Sequence, residues 1–71
     1  MEIRINSIGR IMTGDEAGSF LKVIDDAANT GGYLVLTSEK HDFSVGFDNW
    51  VENLAGLKDY FAESKWIVSW E

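Results

Sequence analysis

The chain opens with a strict alternation of apolar and polar residues. Over Glu2–Ser7 the two isoleucines fall on one face and the polar side chains between them fall on the other. A period of two is typical of a strand that is buried on one side. We therefore predict a first strand here. It continues past a bulge at Gly9 with the next apolar residues, which are Ile8, Ile11 and Met12.

Two later segments are also predicted to be strands. Tyr33–Ser38 follows a Gly-Gly pair and holds branched and aromatic residues, which are common in strands. Lys65–Glu71 alternates again, and its apolar face carries Trp66, Val68 and Trp70. We predict that this last segment is pinned to the sheet through that face.

A helical period dominates Asp48–Glu63. Apolar residues at that period form one stripe, made of Phe47, Trp50, Val51, Leu54, Leu57 and Phe61. Asp48 is a good N-cap, and Glu52 would lie in the first turn, where the helix dipole favours an anion. We predict a helix from Asp48 to Glu63 that packs on the sheet through this stripe.

Residues 13–29 admit two interpretations. Apolar residues at helical spacing favour a helix, namely Ala17, Phe20, Leu21, Ile24 and Ala28. Thr13 and Glu16 would form the capping box of this helix. Gly14 and Gly18, however, would each cost a helix up to about 1 kcal/mol, whereas a turn accommodates them. Ser19–Asp25 is also rich in residues that favour sheets. The segment is therefore either a helix or a turn followed by a strand.

These elements predict the α+β class: one domain over residues 1–71, with a short antiparallel sheet and one main helix packed on one face. The alternative is a three-stranded β-α-β-α-β arrangement. A domain of 71 residues has a small core and marginal stability. Without cysteine it lacks disulfides, so apolar residues must supply the core.

Charge narrows the range of partners. Twelve acids against six bases give a formal net charge of −6. Nucleic acids and anionic membranes repel such a surface, because they are bound largely through Lys and Arg. No apolar run approaches the roughly 20 residues of a membrane span, and the start lacks the layout of a signal peptide. We expect a cytoplasmic protein that binds neither nucleic acid nor membrane.

The residues available for catalysis are few. His41 is the only histidine, so a two-histidine metal site is excluded, and there is no cysteine nucleophile. Thr30-Gly31-Gly32 runs straight into a strand, which indicates a turn rather than a phosphate-binding loop. We expect no enzymatic activity, no cofactor and no metal.

Asp25 and Asp26 form an adjacent carboxylate pair. Paired acids can bind a divalent cation, but the residues that follow break the spacing of a calcium loop. Adjacent acids at the edge of a turn more often accept backbone hydrogen bonds. We expect this pair to shape the turn and to add to an acidic partner-binding surface.

The predicted helix carries a column of acids at i, i+4, i+11 and i+15: Asp48, Glu52, Asp59 and Glu63. Like charges at i, i+4 destabilise a helix by about 0.2–0.5 kcal/mol per pair, which suggests that the column serves to meet a basic partner. The alternative is a solvated face offset by Lys58 and Lys65. Tyr60 lies off the apolar stripe beside the column and is a candidate anchor.

Several runs of sequence carry a resemblance to a known group: Lys22–Asp26, Asn29–Leu36, Gly46–Asn53 and Trp66–Trp70. Across residues 18–70 the chain resembles small bacterial proteins of immunity type, which neutralise a toxin by binding it. The resemblance favours the strand interpretation of Ser19–Asp25. It implies inhibition by stoichiometric binding, with acidic residues meeting a cationic nuclease or similar toxin.

Two functions are therefore expected. The first is an immunity or inhibitor protein that uses its acidic residues to bind a basic protein partner. The second is a structural or regulatory accessory protein that forms homo-oligomers through an exposed sheet edge or apolar patch.

Overall fold

Antiparallel pairing between successive strands builds most of the sheet. In the computed structural model, which describes residues 2–71, the sheet has five strands in the order β4-β3-β2-β1-β5. A helix, α1, connects the two edge strands and covers one face. The elements are β1 Ile8–Ile11, β2 Phe20–Asp26, β3 Gly32–Ser38, β4 Phe47–Val51, α1 Leu54–Glu63 and β5 Val68–Trp70. The predicted α+β class, with one helix on an antiparallel sheet, is confirmed.

The core lies between α1 and the covered face of the sheet. Leu57 and Phe61 are the buried residues of the helix. They belong to one cluster with buried side chains from the central strands and from the segment before β5, which are Ile11, Leu21, Val23, Val35 and Trp66. Residues 2–5 close one side of this cluster, where the Trp70 indole donates to the Glu2 carbonyl over 3.1 Å.

Residues 13–29 form a turn followed by a strand, as the glycines indicated and against the helical period. Gly14 and Gly18 have φ of +86° and +94°, a region that glycine enters without steric cost. β2 then pairs with β3 over its whole length, from Phe20 opposite Ser38 to Asp26 opposite Gly32. Pairing on both sides of β2 outweighs the local period, and the β-α-β-α-β alternative is wrong.

The helix begins six residues later than predicted. Asn53, not Asp48, is the N-cap, and its side chain accepts a hydrogen bond of 2.8 Å from the Gly56 amide. Phe47–Val51 is instead the edge strand β4, paired with β3. In this segment Val51 faces the helix, and Trp50 lies on the opposite face of the sheet. The apolar spacing that fits a helical stripe therefore also fits a strand.

The first strand is shifted along the chain relative to the prediction. Asn6 adopts φ +60° and breaks the extended backbone, so the regular strand is Ile8–Ile11. Before the break, Ile5 forms only an isolated parallel bridge with Val23. The last strand has the predicted faces: Trp66 is buried and Val68 and Trp70 are half-buried, whereas the residues between them are exposed.

Helix α1 spans ten residues. Among residues 2–71 no helix has the length and apolarity that crossing a membrane requires.

Gly32 allows the edge strand to approach β3 closely. A Cβ added here would overlap the Val51 carbonyl oxygen and lie 2.7 Å from the Trp50 indole nitrogen. We expect G32A to displace β4 and destabilise the protein by about 1–3 kcal/mol, as overpacking does. Urea denaturation followed by tryptophan fluorescence measures this change.

The matched control is Gly56, which lies inside α1. A Cβ there meets its nearest atom, the Asn53 side-chain oxygen, at an ordinary 3.5 Å. We expect G56A to leave stability unchanged or to raise it by up to about 1 kcal/mol. Equal losses in both variants would contradict the role given to Gly32.

Candidate partner-binding site

An exposed acidic turn joins β1 to β2. Gly14 and Gly18 supply its left-handed backbone, and the Gly18 amide closes it by donating to the Ile11 carbonyl over 2.8 Å. Asp15 and Glu16 lie at its tip, and both are exposed. The turn therefore holds two adjacent carboxylates away from the sheet.

Contacts with the end of the helix fix the position of this turn. The Thr13 hydroxyl donates to the Lys65 carbonyl over 2.8 Å and accepts from the Ile67 amide over 2.9 Å. These two bonds join the start of the turn to the segment between α1 and β5. The carboxylates at the turn's tip are consequently presented at a defined place beside the helix C-terminus.

A concavity of about 500 Å³ lies on one side of the turn. Glu39 adds a third carboxylate to it, and Val45 and Phe47 add apolar side chains that are 58% and 78% exposed. The remaining lining residues are Asp15, Glu16, Ala17, Ser19, Thr37, Ser38 and Gly46. This side of the site combines negative charge with apolar surface.

Side-chain hydrogen bonds hold the loop that forms the far wall. The Ser38 hydroxyl donates to the Val45 carbonyl and accepts from the Lys40 amide over 2.9 Å. The Asp42 carboxylate accepts from the Ser44 amide over 2.9 Å, and this bond keeps the Asp42 pKa below its usual value. The loop that carries Val45 is therefore built with defined internal contacts.

A second concavity of about 490 Å³ lies on the other side of the turn, against α1. It shares Asp15 and Glu16 with the first and adds Tyr60, Glu63 and Lys65. The Tyr60 hydroxyl accepts from the Asn49 amide group over 3.1 Å, and its ring packs edge-on against Trp66 at 5.4 Å. We call the two concavities with the turn between them the acidic groove.

Among residues 2–71, none of the carboxylates of the acidic groove forms an ion pair. Within residues 2–71 the ion pairs join Arg4 to Glu2 and His41 to Glu71, and neither belongs to the groove. The four groove acids, Asp15, Glu16, Glu39 and Glu63, face one groove base, Lys65. The groove is thus a local concentration of negative charge beside exposed apolar surface.

The acidic column predicted from the sequence does not exist. Asp48 lies in β4 and Glu52 in the bend that follows it, so only Asp59 and Glu63 are on the helix. The reason is the late helix start at Leu54. Of the predicted residues, Glu63 and Tyr60 line the acidic groove, whereas the other members of the column do not.

The Asp25–Asp26 pair shapes a turn at the opposite end of β2 from the acidic groove. The Asp25 carboxylate accepts from the Ala27 amide over 3.1 Å, and Asp26 accepts from the Asn29 side chain over 3.1 Å. The turn-forming interpretation of this pair is confirmed. The structure places neither residue next to Tyr60 or Glu63.

The main residues of the groove are not among the predicted site residues, although the sequence carries a signal for them. Asp15 and Glu16 are adjacent acids framed by two glycines, a pattern typical of an exposed turn tip. The apolar spacing predicts that Phe47 belongs to the buried stripe of a helix, but its place in an edge strand leaves it exposed.

Tyr60 reports on the electrostatics of the groove. Burial raises its pKa above the usual value, and the negative charge of Glu16 raises it further. A raised folded-state pKa means that the unfolded chain loses this proton first, so stability falls as pH rises beyond about 10. We expect the stability of wild type minus that of Y60F to shrink between pH 9 and pH 11, in urea denaturation. A difference that stays constant would contradict this environment for Tyr60.

Within the described part of the chain, no three His, Cys, Asp or Glu side chains are gathered so that they could hold a metal ion. Comparisons of the chain with protein-family models, with curated proteins and with solved structures give no match.

Proposed function

We propose that this chain is a protein-binding module whose acidic groove takes up a basic partner, and that it works as an inhibitor by stoichiometric binding. The observation that carries the proposal is the coincidence of four carboxylates without ion-pair partners among residues 2–71 with the exposed Val45 and Phe47. Charge alone would serve solubility, but charge beside apolar surface is suited to a protein interface.

The two kinds of surface have separate roles. Carboxylates speed the approach of a cationic protein, and this effect weakens as salt screens the charges. Apolar side chains supply affinity after contact, because burying them releases water. Phe47 is exposed on an edge strand and lines the same concavity as Glu39. A partner segment that enters this concavity therefore meets both kinds of surface.

Neutralisation of a toxin is the form of inhibition that we propose. A cationic nuclease binds its phosphate substrate with Lys and Arg side chains, and the acidic groove offers the same side chains a competing anion. The resemblance to immunity-type proteins supports this choice among the possible basic partners.

The first test uses a defined probe, an amphipathic peptide of alternating lysine and leucine, in isothermal titration calorimetry. We expect binding at one peptide per groove, with an affinity that falls as ionic strength rises. An oligolysine peptide of equal charge is the matched control and should bind more weakly, because it lacks apolar side chains. Equal affinity for both peptides, or none for either, would contradict the role given to Phe47 and Val45.

The toxin assignment has its own test. The gene adjacent to the one for this chain is expressed with and without the chain, and growth of the host cells is measured. We expect the neighbouring product to be basic and toxic, and co-expression of this chain to restore growth. A harmless neighbour would reject toxin neutralisation, whereas the peptide titration would still decide whether the groove binds basic proteins.

A further inference from the structure

The face of the sheet opposite α1 carries a second, separate surface. On β2, Phe20, Lys22 and Ile24 alternate with the buried Leu21 and Val23, so they point away from the helix. Pairing registers extend this face across the neighbouring strands. Its apolar members are Ile8, Phe20, Ile24, Leu34, Leu36 and Trp50, and we call it the open face. All are only half-buried except Trp50, which is exposed.

Trp50 is the most prominent residue of the open face. Its indole N–H donates to the Thr30 hydroxyl over 2.9 Å, and the ring lies beside Gly32, where a Cβ would meet it. The residue is still 49% exposed. The indole is already held in place, and its N–H already has a hydrogen-bond partner. Burying it in an interface therefore costs little side-chain entropy and leaves no donor unpaired. Tryptophan is enriched among interface hot spots.

One end of the open face is closed by the protein itself. The Arg10 guanidinium lies 5.8 Å from the centre of the Phe20 ring, and His41 packs edge-on against the same ring at 5.1 Å. His41 is held in turn by Glu71 over 2.8 Å. The uncovered part is the middle of β2 and β3 together with β4. The loop residues Phe43, Ser44 and Val45 border it beside Leu36 and Asp48.

Two opposite charges flank β3 at equivalent positions on this uncovered part. Leu36 pairs with Asp48 of β4 on one side and with Lys22 of β2 on the other. In the next row, Leu34 lies between Trp50 and Ile24. Within residues 2–71 neither Asp48 nor Lys22 takes part in an ion pair.

We propose that the open face binds a second copy of this chain. The two copies form a two-fold dimer whose axis runs parallel to β3, midway between the two packed faces. Rotation about that axis exchanges the flanks of β3, so Asp48 comes to lie over Lys22 of the second copy, and the same pair forms again on the other side. Trp50 then packs on Ile24 of the second copy, and the leucines of β3 meet on the axis. Aligned packing of two sheets about 10 Å apart has this geometry.

A second copy fits the charges better than other occupants. A basic partner would meet Lys22 at close range, and an acidic one would meet Asp48. An identical face offers each charge its opposite, as self-complementary two-fold interfaces do. The proposal does not rest on the acidic groove, whose carboxylates Asp15, Glu16, Glu39 and Glu63 are not members of the open face.

The test is sedimentation velocity of the full chain from low micromolar to millimolar concentration, with a charge exchange. We expect a concentration-dependent dimer for the wild type. K22E and D48K should each weaken dimerisation about tenfold or more, because each places two like-charge pairs in the interface. The double variant K22E/D48K restores opposite charges and should recover the dimer.

The matched control exchanges charges on the helix side, with K58E and D59K, and should leave dimerisation unchanged. Far-UV circular dichroism of every variant shows whether it is folded. A wild type that stays monomeric throughout would overturn the proposal. A dimer that is indifferent to K22E and D48K, or that the double variant does not recover, would overturn this interface as well.

Discussion

Replacing Phe61 by alanine is expected to destabilise the protein by about 3–5 kcal/mol, the range found for removing a buried phenylalanine. The ring has no exposed surface and joins the helix to both C-terminal tryptophans. It packs edge-on against Trp66 at 5.3 Å and stacks against Trp70 at 6.5 Å. At about 0.05–0.15 kcal/mol per residue, a chain of this length has only about 4–10 kcal/mol in total. F61A should therefore be largely or wholly unfolded near body temperature.

Phe47 provides the matched control for this substitution. It is the same residue type, but 78% of it is exposed at the start of an edge strand. F47A should change the free energy of unfolding by no more than about 0.5 kcal/mol, as surface substitutions usually do. Urea denaturation monitored by tryptophan fluorescence compares the two variants. Similar losses for both would mean that the core is not organised around Phe61.

Reversing the two carboxylates of the acidic turn, in D15K/E16K, is expected to slow the association of a cationic partner tenfold or more at low salt. Both carboxylates border both concavities, so a single double variant alters the whole acidic groove. The effect should shrink as ionic strength rises, because salt screens exposed charges. Stopped-flow fluorescence with the lysine–leucine peptide measures the association rate.

E52K/D59K is the control with the same change in net charge. Glu52 and Asp59 are both exposed, and neither lines the groove. This control also decides between two locations, since both residues belong to the column that the sequence pattern predicted. A larger effect in E52K/D59K than in D15K/E16K would reject the groove as the binding site and would locate the partner's contact near Glu52 and Asp59.

The apolar pattern separates strand from helix in one of the two C-terminal segments and not in the other. Lys65–Glu71 has alternation alone, and its buried face is as predicted. Phe47, Trp50 and Val51 fit a helical stripe, but strand β3 beside them offers backbone pairing that the local pattern does not reveal. Tertiary pairing also decided β2, where the glycines were the better guide than the apolar spacing.

The candidate site was harder to predict than the fold because its parts come from distant segments. The helical spacing predicts Tyr60 and Glu63 as site residues. Their neighbours in space, Asp15 and Glu16, are more than 40 positions away in the sequence. Only the crossing of α1 from one sheet edge to the other brings the helix C-terminus to the first turn.

The most direct test of the acidic groove is an NMR titration of the ¹⁵N-labelled chain with the lysine–leucine peptide. We predict that the amide signals of residues 14–18, 39, 45–47 and 60–65 shift first and most, and that these shifts disappear in D15K/E16K. Shifts concentrated instead at residues 25–30 or 48–52, with the turn unaffected, would contradict the account.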